Sequence, residues 1–338
     1  MPPLVSFIVV NWNGRSCIEE CLSSIQQQSY KAYEIIVVDN ASTDGSLQLL
    51  RQYPGISLIE NQANLGFGAA NNKAFARSAG EIVALINNDT KLAPDWLKNL
   101  IVPLIVNPNT GMCAGKTLSY DRREVIDNTG HLLYWDGMNR GRGRMQKDRG
   151  QFDRETEAFF PSGCACLFRS EMLKQIGFFD EDFYLYGDDT ELGIRARLAG
   201  WECSFVPAAI AYHHGSASLS YYHASKFFYV ERNRMWVAIK YFPIELLLLN
   251  PFFSALRYLS HLIALAAGKG VTGAFAKEQS GPGLLRVWMQ AQISAWKGAR
   301  GAWRKRREYF AKFHWTRKRF YRCFFSHRLS LRELTFTP

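Results

Sequence analysis

Residues 34–45 read EIIVVDNASTDG, an apolar run of strand length that stops on the carboxylate of Asp39 and passes into turn-forming residues. Residues 5–10, VSFIVV, form a similar run rich in β-branched side chains, and residues 16–28 between the two runs have the periodicity of a helix. Strands that are apolar throughout and alternate with helices predict a parallel sheet covered by helices on both faces.

The same alternation continues to about residue 106. It predicts strands at residues 56–59 and 81–86, and helices at residues 43–53, 67–79 and 94–106, with Pro94 at the start of the last helix. Ligands of such sheets bind at the carboxyl ends of the strands. Polar residues should therefore follow each strand.

Polar, mostly glycine-containing segments do follow all four strands. They are NWNG at residues 11–14, DNASTDG at 39–45, NQANLGFG at 61–68 and NNDT at 87–90. Turn formation alone would explain any one of them equally well, but four on one predicted edge favour a binding site. The loops after these four strands contain neither G-x-G-x-x-G nor G-x4-G-K-[ST], which argues against a nicotinamide or P-loop enzyme.

Asp89 is the acidic residue of the fourth segment. Magnesium often needs only one or two protein carboxylates in addition to substrate phosphates, and Asp89 fits that role. The alternative, which this residue alone would favour, is that Asp89 caps the helix that follows it.

Two later clusters also carry chemistry. Residues 183–192, FYLYGDDTEL, place acids at the start of an amphipathic helix, where they favour the helix dipole or, if buried, supply a general base. His213 and His214 follow strand-like residues 204–206 and 210–212, and they are as compatible with a ligand role as with a structural one.

Residues 5–13, 37–45, 64–68, 87–89, 187–192 and 213–216 occur in the order typical of glycosyltransferase family 2. The chain resembles this family over about residues 4–220, and looks most like its rhamnosyltransferase-like branch. The resemblance implies an α/β GT-A fold, with a Rossmann-like, mostly parallel sheet and helices on both faces. It also implies a nucleotide-sugar-binding half at about residues 1–115, an acceptor-side half at 116–218, and transfer from a nucleotide-diphosphate sugar with inversion.

The resemblance also assigns roles to residues. Asp89 matches the retained acid of a D-x-D-type metal motif whose first position is Asn87 here, and His213 matches a further ligand, with His214 as the alternative. Asp189 matches the general base, and Asp188 replaces the usual Glu beside it. The remaining matches are donor-side Asn11, Asn13, Asp39, Asp44, Asn64, Gly66 and Asn88, with Asp39 on the pyrimidine ring, and acceptor-side Gly163 and Cys164.

These roles are chemically consistent. A Mg²⁺ or Mn²⁺ ion neutralises charge on the leaving diphosphate, and the base removes the proton of the attacking acceptor hydroxyl. A single displacement without an enzyme nucleophile inverts the anomeric carbon. Two carboxylates could instead activate water in a hydrolase, but a hydrolase has no use for a nucleotide site.

Charge divides the chain near residue 219. Residues 1–218 carry 20 Lys and Arg against 25 Asp and Glu, a net charge of −5, whereas residues 219–338 carry 21 against 5, a net charge of +16. We expect residues 1–218 to be the GT-A domain and residues 219–338 to be a basic helical region that associates with a membrane. The seven cysteines form no C-x2-C pair, which favours reduced thiols, and the N-terminus has no basic segment typical of a signal peptide.

The Gly-rich, charged residues 136–157 predict a mobile loop that could close over the donor, with Arg140, Arg142 and Arg144 near the diphosphate. A break at residues 280–283 precedes another helix, predicted from about Leu284.

The basic region predicts helices at residues 221–241 and 243–267, and the second is strongly apolar. Because Glu245, Pro251, Arg257 and His261 would be costly in lipid, an interfacial helix or monotopic hairpin is favoured over a span. Residues 300–332 contain twelve Lys and Arg, one acid and nine aromatic residues, a composition that anionic lipid headgroups attract.

The sequence therefore predicts a metal-assisted inverting glycosyltransferase at the cytoplasmic face of the cell membrane, peripheral or monotopic. Its expected donor is a dTDP- or UDP-sugar, with rhamnose as the sugar, and its expected acceptor is a glycan or a polyprenyl-linked sugar. The alternatives are a nucleotidyltransferase and a basic nucleic-acid-binding protein on an inert nucleotide-binding scaffold. Nucleic acid is not the expected partner.

Overall fold

A computed structural model describes residues 2–215, 224–268, 281–313 and 315–337. The chain folds into two compact units, Met1–Gly130 with Gly141–Ser220, and His131–Arg140 with Tyr221–Pro338. The predicted domain boundary at residue 219, residues 216–218 of the His213 motif, residues 221–223 of the predicted helix 221–241 and residue 280 of the predicted break lie outside the described residues. All seven cysteines are free thiols.

The strands of the described residues are numbered in chain order. They are β1 Val5–Asn11, β2 Tyr33–Asp39, β3 Ser57–Glu60, β4 Ile82–Asn87, β5 Thr90–Leu92, β6 Thr110–Ser119, β7 Ile126–Asn128, β8 His131–Leu133, β9 Asn139–Gly141, β10 Ala165–Arg169 and β11 Glu202–His213.

The helices of the same residues are also numbered in order. They are α1 Ile18–Gln26, α2 Ser46–Gln52, α3 Phe67–Phe75, α4 Trp96–Leu100, α5 Val102–Val106, α6 Ser170–Ile176, α7 Asp188–Ala199, α8 Ala224–Tyr241, α9 Ile244–Ala266, α10 Gly281–Lys312, α11 Arg317–Ser326 and α12 Leu331–Phe336. A 3-10 turn at Glu181–Phe183 precedes α7.

A mixed sheet forms the centre of the first unit. Its strand order is β3-β2-β1-β4-β10-β6-β11-β5, with β7 added beside β6. Six strands run in one direction, because β3, β2, β1 and β4 are parallel neighbours, β10 is antiparallel to both β4 and β6, and β11 is parallel to β6. The predicted mostly parallel α/β sheet is confirmed, and its core strands are buried on both faces.

The segment after β4 differs from its prediction. Residues 90–92 form the short antiparallel strand β5, which pairs Thr90 with His213 of β11, so Asp89 does not cap a helix. The helix predicted at residues 94–106 is broken into α4 and α5, because Pro103 has no backbone N–H to continue the helical ladder.

Residues 136–157 have more fixed contacts than their composition predicts. Asp136 is fully buried, and β9 begins at Asn139. Within the first unit, Arg142 donates to the backbone oxygen of Thr129 at 2.8 Å, and Lys116 binds Asp148 at 2.9 Å. These contacts hold parts of the segment in place, while its mobility and its closure over a donor stay predictions.

Buried charge organises the second unit. Arg257 of α9 donates to Asp136 at 2.7 Å and lies 2.9 Å from Glu231 of α8, which also accepts from Arg234 at 2.8 Å. Burial by itself would raise the pKa of Glu231. The charges of Arg234 and Arg257 have a larger opposite effect and lower the pKa to about 2, so the carboxylate stays ionised. Since removing one partner from such a network costs about 3–5 kcal/mol, these four side chains fix how α8, α9 and residues 131–140 pack.

By length and composition alone, α9 is apolar enough to cross a membrane. It is the one helix of the described residues that meets this criterion, and about a fifth (22%) of its most apolar window is buried within the protein.

Candidate functional site

The ends of β1 and β2 bring the first two polar segments together. Asn11 and Asp39 are register partners, and the amide of Asn11 donates to Asp39 Oδ1 at 2.8 Å and to Ser46 Oγ at 2.9 Å. Ser42 donates to the same Asp39 oxygen at 2.6 Å, and its backbone N–H donates to Asp39 Oδ2 at 2.9 Å. Asp39 therefore holds the loop after β2 against the end of β1.

Asn13 and Asp44 complete this junction. Asn13 Oδ1 accepts from the N–H of Thr43 at 2.8 Å, and Asp44 accepts from the N–H of Arg15 at 2.7 Å. Hydrogen bonds, chiefly from Ser46 and the Arg15 backbone, overcome the opposing effect of burial and lower the pKa of the Asp44 carboxyl. Asn13 adopts a φ of +50°, a conformation that Asn tolerates better than most residues.

Gly14 allows the fourth segment to reach the first. The amide of Asn88 donates to Asn11 Oδ1 at 3.0 Å. A Cβ at position 14 would lie 2.2 Å from Asn88 Nδ2 and 2.4 Å from Asn11 Oδ1, so only glycine fits beside this pair. The sequence placed Gly14 in a polar loop but assigned it no role.

Asn64 and Gly66 serve the third segment itself. Asn64 Oδ1 accepts from the N–H of Gly66 at 2.9 Å, and Gly66 has a φ of +83°. A Cβ there would lie 2.5 Å from the backbone oxygen of Tyr184, which accepts from the N–H of Phe67. These residues join the start of α3 to the segment that leads into α7.

Asp89, His213 and Asp127 form a second group at the same sheet edge. His213 Nε2 lies 3.3 Å from Asp89 Oδ1, and His213 Nδ1 lies 2.9 Å from Asp127 Oδ2. The pairing of β5 with β11 positions the first contact, and β7, which pairs with β6, positions the second. The sequence missed Asp127, because its three-residue strand has no detectable periodicity.

Electrostatics in this group depend on two opposing effects. Burial disfavours the charged imidazole, but the Asp89 carboxylate, with a smaller contribution from Asp127, raises the pKa of His213 well above its usual value. The ligand atoms of Asp127, Cys164 and His213 lie within 4.8 Å of one another. Burial raises the pKa of the Cys164 thiol, which disfavours the thiolate that metals bind.

A divalent cation suits Asp89 and His213. A carboxylate oxygen and an imidazole nitrogen 3.3 Å apart are a donor set that Mn²⁺ accepts and that Mg²⁺ shares in part. His214 points elsewhere, since its ring stacks on Tyr120 with centroids 3.6 Å apart. The geometry therefore favours His213 over His214 as the histidine ligand.

Gly163 and Cys164, which the resemblance predicts on the acceptor side, directly precede β10 and meet the same edge. The N–H of Asn87 donates to the backbone oxygen of Cys164 at 2.9 Å, and a Cβ at Gly163 would lie 3.7 Å from the Cβ of Asp189. Asp189 Oδ1 accepts from the N–H of Thr190 at 2.7 Å at the start of α7. Gly163 therefore lies within van der Waals reach of Asp189, the residue expected to act as the base.

Asp188 is a buried carboxylate beside Asp189. Burial, and then the charge of Asp189, raises the pKa of Asp188 to about 7. Its Oδ2 has no hydrogen-bond partner among the described residues. The phenol of Tyr186 connects this pair electrostatically to Asp89, because burial and the carboxylates of Asp188 and Asp89 raise its pKa to about 12.

Glu191, the third acid of this helix start, has a structural role. It is fully buried and accepts from Arg195 at 2.6 Å, one helical turn later. Arg195 also donates to the backbone oxygens of Ile176 and Gly177. The pair fixes α7 to the end of α6 and thereby positions Asp188 and Asp189.

The profile of Glycosyl transferase family 2 matches residues 6–177 of this chain. The chain belongs to this family. The nucleic-acid-binding alternative is accordingly not favoured, and the GT-A fold expected from the resemblance is confirmed.

This family member is similar in sequence to two further proteins. It is 31% identical over 236 residues to the uncharacterized protein y4gI of Sinorhizobium fredii, covering 64% of this chain and 25% of that protein. It is 26% identical over 272 residues to N-acetylglucosaminyl-diphospho-decaprenol L-rhamnosyltransferase of Mycobacterium tuberculosis, covering 70% of this chain and 87% of that enzyme.

Two solved structures share the fold of this family member. GalNAc-T7 with UDP, GalNAc and Mn²⁺ has a TM-score of 0.58 at 16% identity, covering 71% of this chain and 48% of its own. The mannosyltransferase PcManGT of Pyrobaculum calidifontis, with GDP-Man and Mn²⁺, has a TM-score of 0.53 at 21% identity, covering 92% of this chain and 86% of its own. The chain thus spans about a quarter of y4gI and half of GalNAc-T7.

Proposed function

We propose that the protein is an inverting glycosyltransferase that moves a sugar from a nucleotide-diphosphate donor to a lipid-linked or polysaccharide acceptor. The observation that carries this proposal is the meeting of three groups at one sheet edge: the Asn11–Asp39–Asn88 network, the Asp89–His213 pair and the Asp188–Asp189 pair. Such edges are where α/β sheets bind ligands.

The donor side would bind the nucleotide through the loops after β1 and β2. Asn11 and Asn88 orient each other, and Asn13 and Asp44 keep the two loops in register. Asp39 is fully buried, and both of its oxygens accept from Ser42. A hydrogen bond donated by a pyrimidine ring N–H to Asp39 would use the remaining lone pair of Oδ2, and it requires the loop that buries this carboxylate to open.

Asp89 and His213 would hold the divalent cation, which neutralises charge on the leaving diphosphate. The Mn²⁺ in the complexes of GalNAc-T7 and PcManGT supports a divalent ion here as well. This chain supplies one carboxylate at the motif, because Asn87 stands at the other position. Substrate phosphate oxygens would complete the coordination.

Asp189 would act as the general base beside Gly163. The neighbouring Asp188 adds a buried carboxylate, and repulsion between two adjacent carboxylates favours uptake of one proton by the pair. That proton would come from the acceptor hydroxyl as its oxygen attacks the anomeric carbon. Because no enzyme nucleophile takes part, the configuration inverts.

We propose rhamnose as the sugar and a polyprenyl-linked glycan as the acceptor, with dTDP or UDP as the nucleotide. The support is the mycobacterial rhamnosyltransferase, whose name describes a decaprenol-linked acceptor. The basic second unit and the apolar helix α9 support a position at the cytoplasmic face of the membrane, peripheral or monotopic.

A donor screen tests this function. Thermal shift with UDP-, dTDP- and GDP-sugars, each with Mg²⁺ or Mn²⁺, should show stabilisation by one nucleotide class that depends on the cation. Asp189→Asn should abolish transfer but keep this stabilisation, whereas the exposed control Asp182→Asn should keep both. Absence of a shift with every donor would contradict the proposed function, and continued transfer by Asp189→Asn would exclude Asp189 as the base.

A further inference from the structure

Helix α9 is polar towards its own unit and apolar towards the outside. Its exposed positions carry only apolar residues, and Leu248 and Phe252 are 76% and 62% exposed. A surface helix in water has the reverse arrangement. The outward residues that recur at helical spacing, called the α9 stripe below, are Leu248, Leu249, Phe252, Leu256, Leu259 and Ile263.

The inward face explains why the polar residues of α9 do not disturb the stripe. Ser254, Arg257 and Ser260 are all buried there. Arg257 binds Asp136 and Glu231, and Ser260 lies 2.9 Å from the hydroxyl of Thr335. The Arg257 charge is therefore enclosed by protein. Glu245, whose side chain is 41% exposed, lies in the first turn of α9, and along the rest of the helix lipid would meet only the apolar side.

We propose that α9 lies in the plane of one membrane leaflet, with the α9 stripe among the acyl chains, and does not cross the bilayer. At 1.5 Å per residue its 23 residues span about 34 Å, so length alone would permit crossing. Crossing would, however, draw Asp136, Glu231 and Arg234 into the hydrocarbon together with Arg257, because the four side chains bind one another.

Helix α10 supplies the chemistry of the headgroup region. Its N-terminal half exposes Met289 and Ile293, and Trp296 is 72% exposed. Further along, Arg300, Arg304 and Arg307 are exposed beside Trp303. Tryptophan with arginine is the combination found at membrane interfaces, and arginine attracts anionic lipid. The partner is therefore a bilayer that contains anionic lipid.

Vesicle flotation of the full chain tests whether this surface binds a membrane. The membrane proposal rests on the proposed function only in that the acceptor is taken to be lipid-linked. Leu248→Gln/Phe252→Gln/Leu259→Gln should weaken partitioning about tenfold per residue on phosphatidylcholine vesicles with or without phosphatidylglycerol. Arg300→Gln/Arg304→Gln/Arg307→Gln should weaken it about fivefold per residue on anionic vesicles alone. The control Val106→Gln, at a valine 75% exposed in the first unit, should bind as wild type.

Depth measurements separate an in-plane helix from a span. Spin labels at Leu248, Leu256 and Ile263 should report one shallow depth, and a label at the bilayer centre would overturn the proposal. Unchanged vesicle binding by the stripe variant would also overturn it. So would a wild-type dimer in the absence of lipid that dissociates into monomers in the stripe variant.

Transfer to a short soluble acceptor should persist in the stripe variant. If wild type itself shows no such transfer, the proposed function is refuted, but the membrane result still stands.

A separate observation concerns Asp127, which we infer to be a positioning residue for the cation site. Its Oδ2 lies 2.9 Å from His213 Nδ1, on the side of the ring opposite Asp89. A carboxylate that accepts from Nδ1–H fixes the tautomer whose Nε2 lone pair is available to a metal. Arg144, 3.6 Å from Asp127 Oδ1, supports the carboxylate from residues 136–157.

Manganese affinity, measured by calorimetry without any sugar donor, tests this role. Asp127→Ala should weaken Mn²⁺ binding about 10- to 100-fold, and Asp127→Asn should weaken it less because its amide oxygen still accepts a hydrogen bond. The exposed control Asp121→Asn should match wild type, and ¹⁵N spectra of the Mg²⁺-bound protein should show His213 losing its single tautomer in Asp127→Ala but not in the control.

Three results would decide against this role. Affinity equal to that of the control in both Asp127 variants would remove it, and loss as complete as in His213→Ala would make Asp127 a ligand instead. If His213→Ala itself keeps full Mn²⁺ affinity, the proposed cation site is wrong, which is a different failure.

Discussion

Replacing Asp188 by Asn should stabilise the protein above neutral pH. Asp188 is only 6% exposed, its carboxyl pKa is raised to about 7 by burial and by Asp189, and its Oδ2 has no hydrogen-bond partner among the described residues. Asn has nearly the same shape and cannot ionise. The substitution therefore removes the cost of ionising this group and changes little else.

The magnitude follows from proton linkage. In the unfolded chain an Asp carboxyl has a pKa near 3.8, so between pH 4 and 7 the native state binds more protons than the unfolded state. Its stability then falls as pH rises through that window and changes no further above it. A difference of about three pKa units corresponds to about 4 kcal/mol, or on the order of 10 °C in melting temperature.

Thermal melts of wild type, Asp188→Asn and the exposed control Glu124→Gln between pH 5 and 8 measure this effect. The Asp188→Asn advantage should already be about 1.7 kcal/mol at pH 5, grow to about 4 kcal/mol at pH 7 and then level off, while the control follows wild type. Transfer should fall in Asp188→Asn, since it removes a carboxylate next to the proposed base. If the melting temperature of Asp188→Asn differs from that of wild type by the same amount at every pH, the assigned ionisation cost is refuted.

Three other perturbations have expected outcomes. Gly14→Ala should weaken donor binding and cost about 1–3 kcal/mol, because its Cβ would meet Asn88 Nδ2 at 2.2 Å; unchanged donor affinity would contradict this packing. Glu191→Gln should lower the free energy of unfolding by about 3 kcal/mol, since it leaves the buried Arg195 without its carboxylate, and a denaturant titration that matches wild type would show that the charge is dispensable. Chelation of divalent ions should abolish donor-induced stabilisation in wild type, and Asp89→Ala should reproduce this loss in the presence of Mn²⁺; full stabilisation in either case would argue against a cation-bound donor.

Local pattern predicted the parallel half of the sheet well. β1, β2, β3 and β4 lie within one or two residues of their predicted bounds, because each is an apolar run closed by turn formers. The predicted division of residues 204–212 also has a counterpart, a register shift between Val206 and Ile210 within β11. The pieces of the candidate site were visible for the same reason, as polar residues at strand ends.

Short elements and long-range partners were not visible. The three residues of β5 look like the start of a helix until their pairing with β11 is known, and this pairing is what places Asp89 beside His213. Asp127 belongs to β7, another three-residue strand, whose position depends on pairing with β6. Periodicity needs more residues than these strands have, so only tertiary hydrogen bonds decide them.

The second unit separates the two kinds of information most clearly. By itself the sequence determined that residues 219–338 are basic and apolar in one long segment, and it predicted helices there, since these properties follow from composition and spacing. Only the tertiary structure decided which way that segment faces. Arg257 interrupts the apolar run in sequence, but Asp136 and Glu231, which are distant along the chain, enclose its charge and leave the leucines of α9 outside.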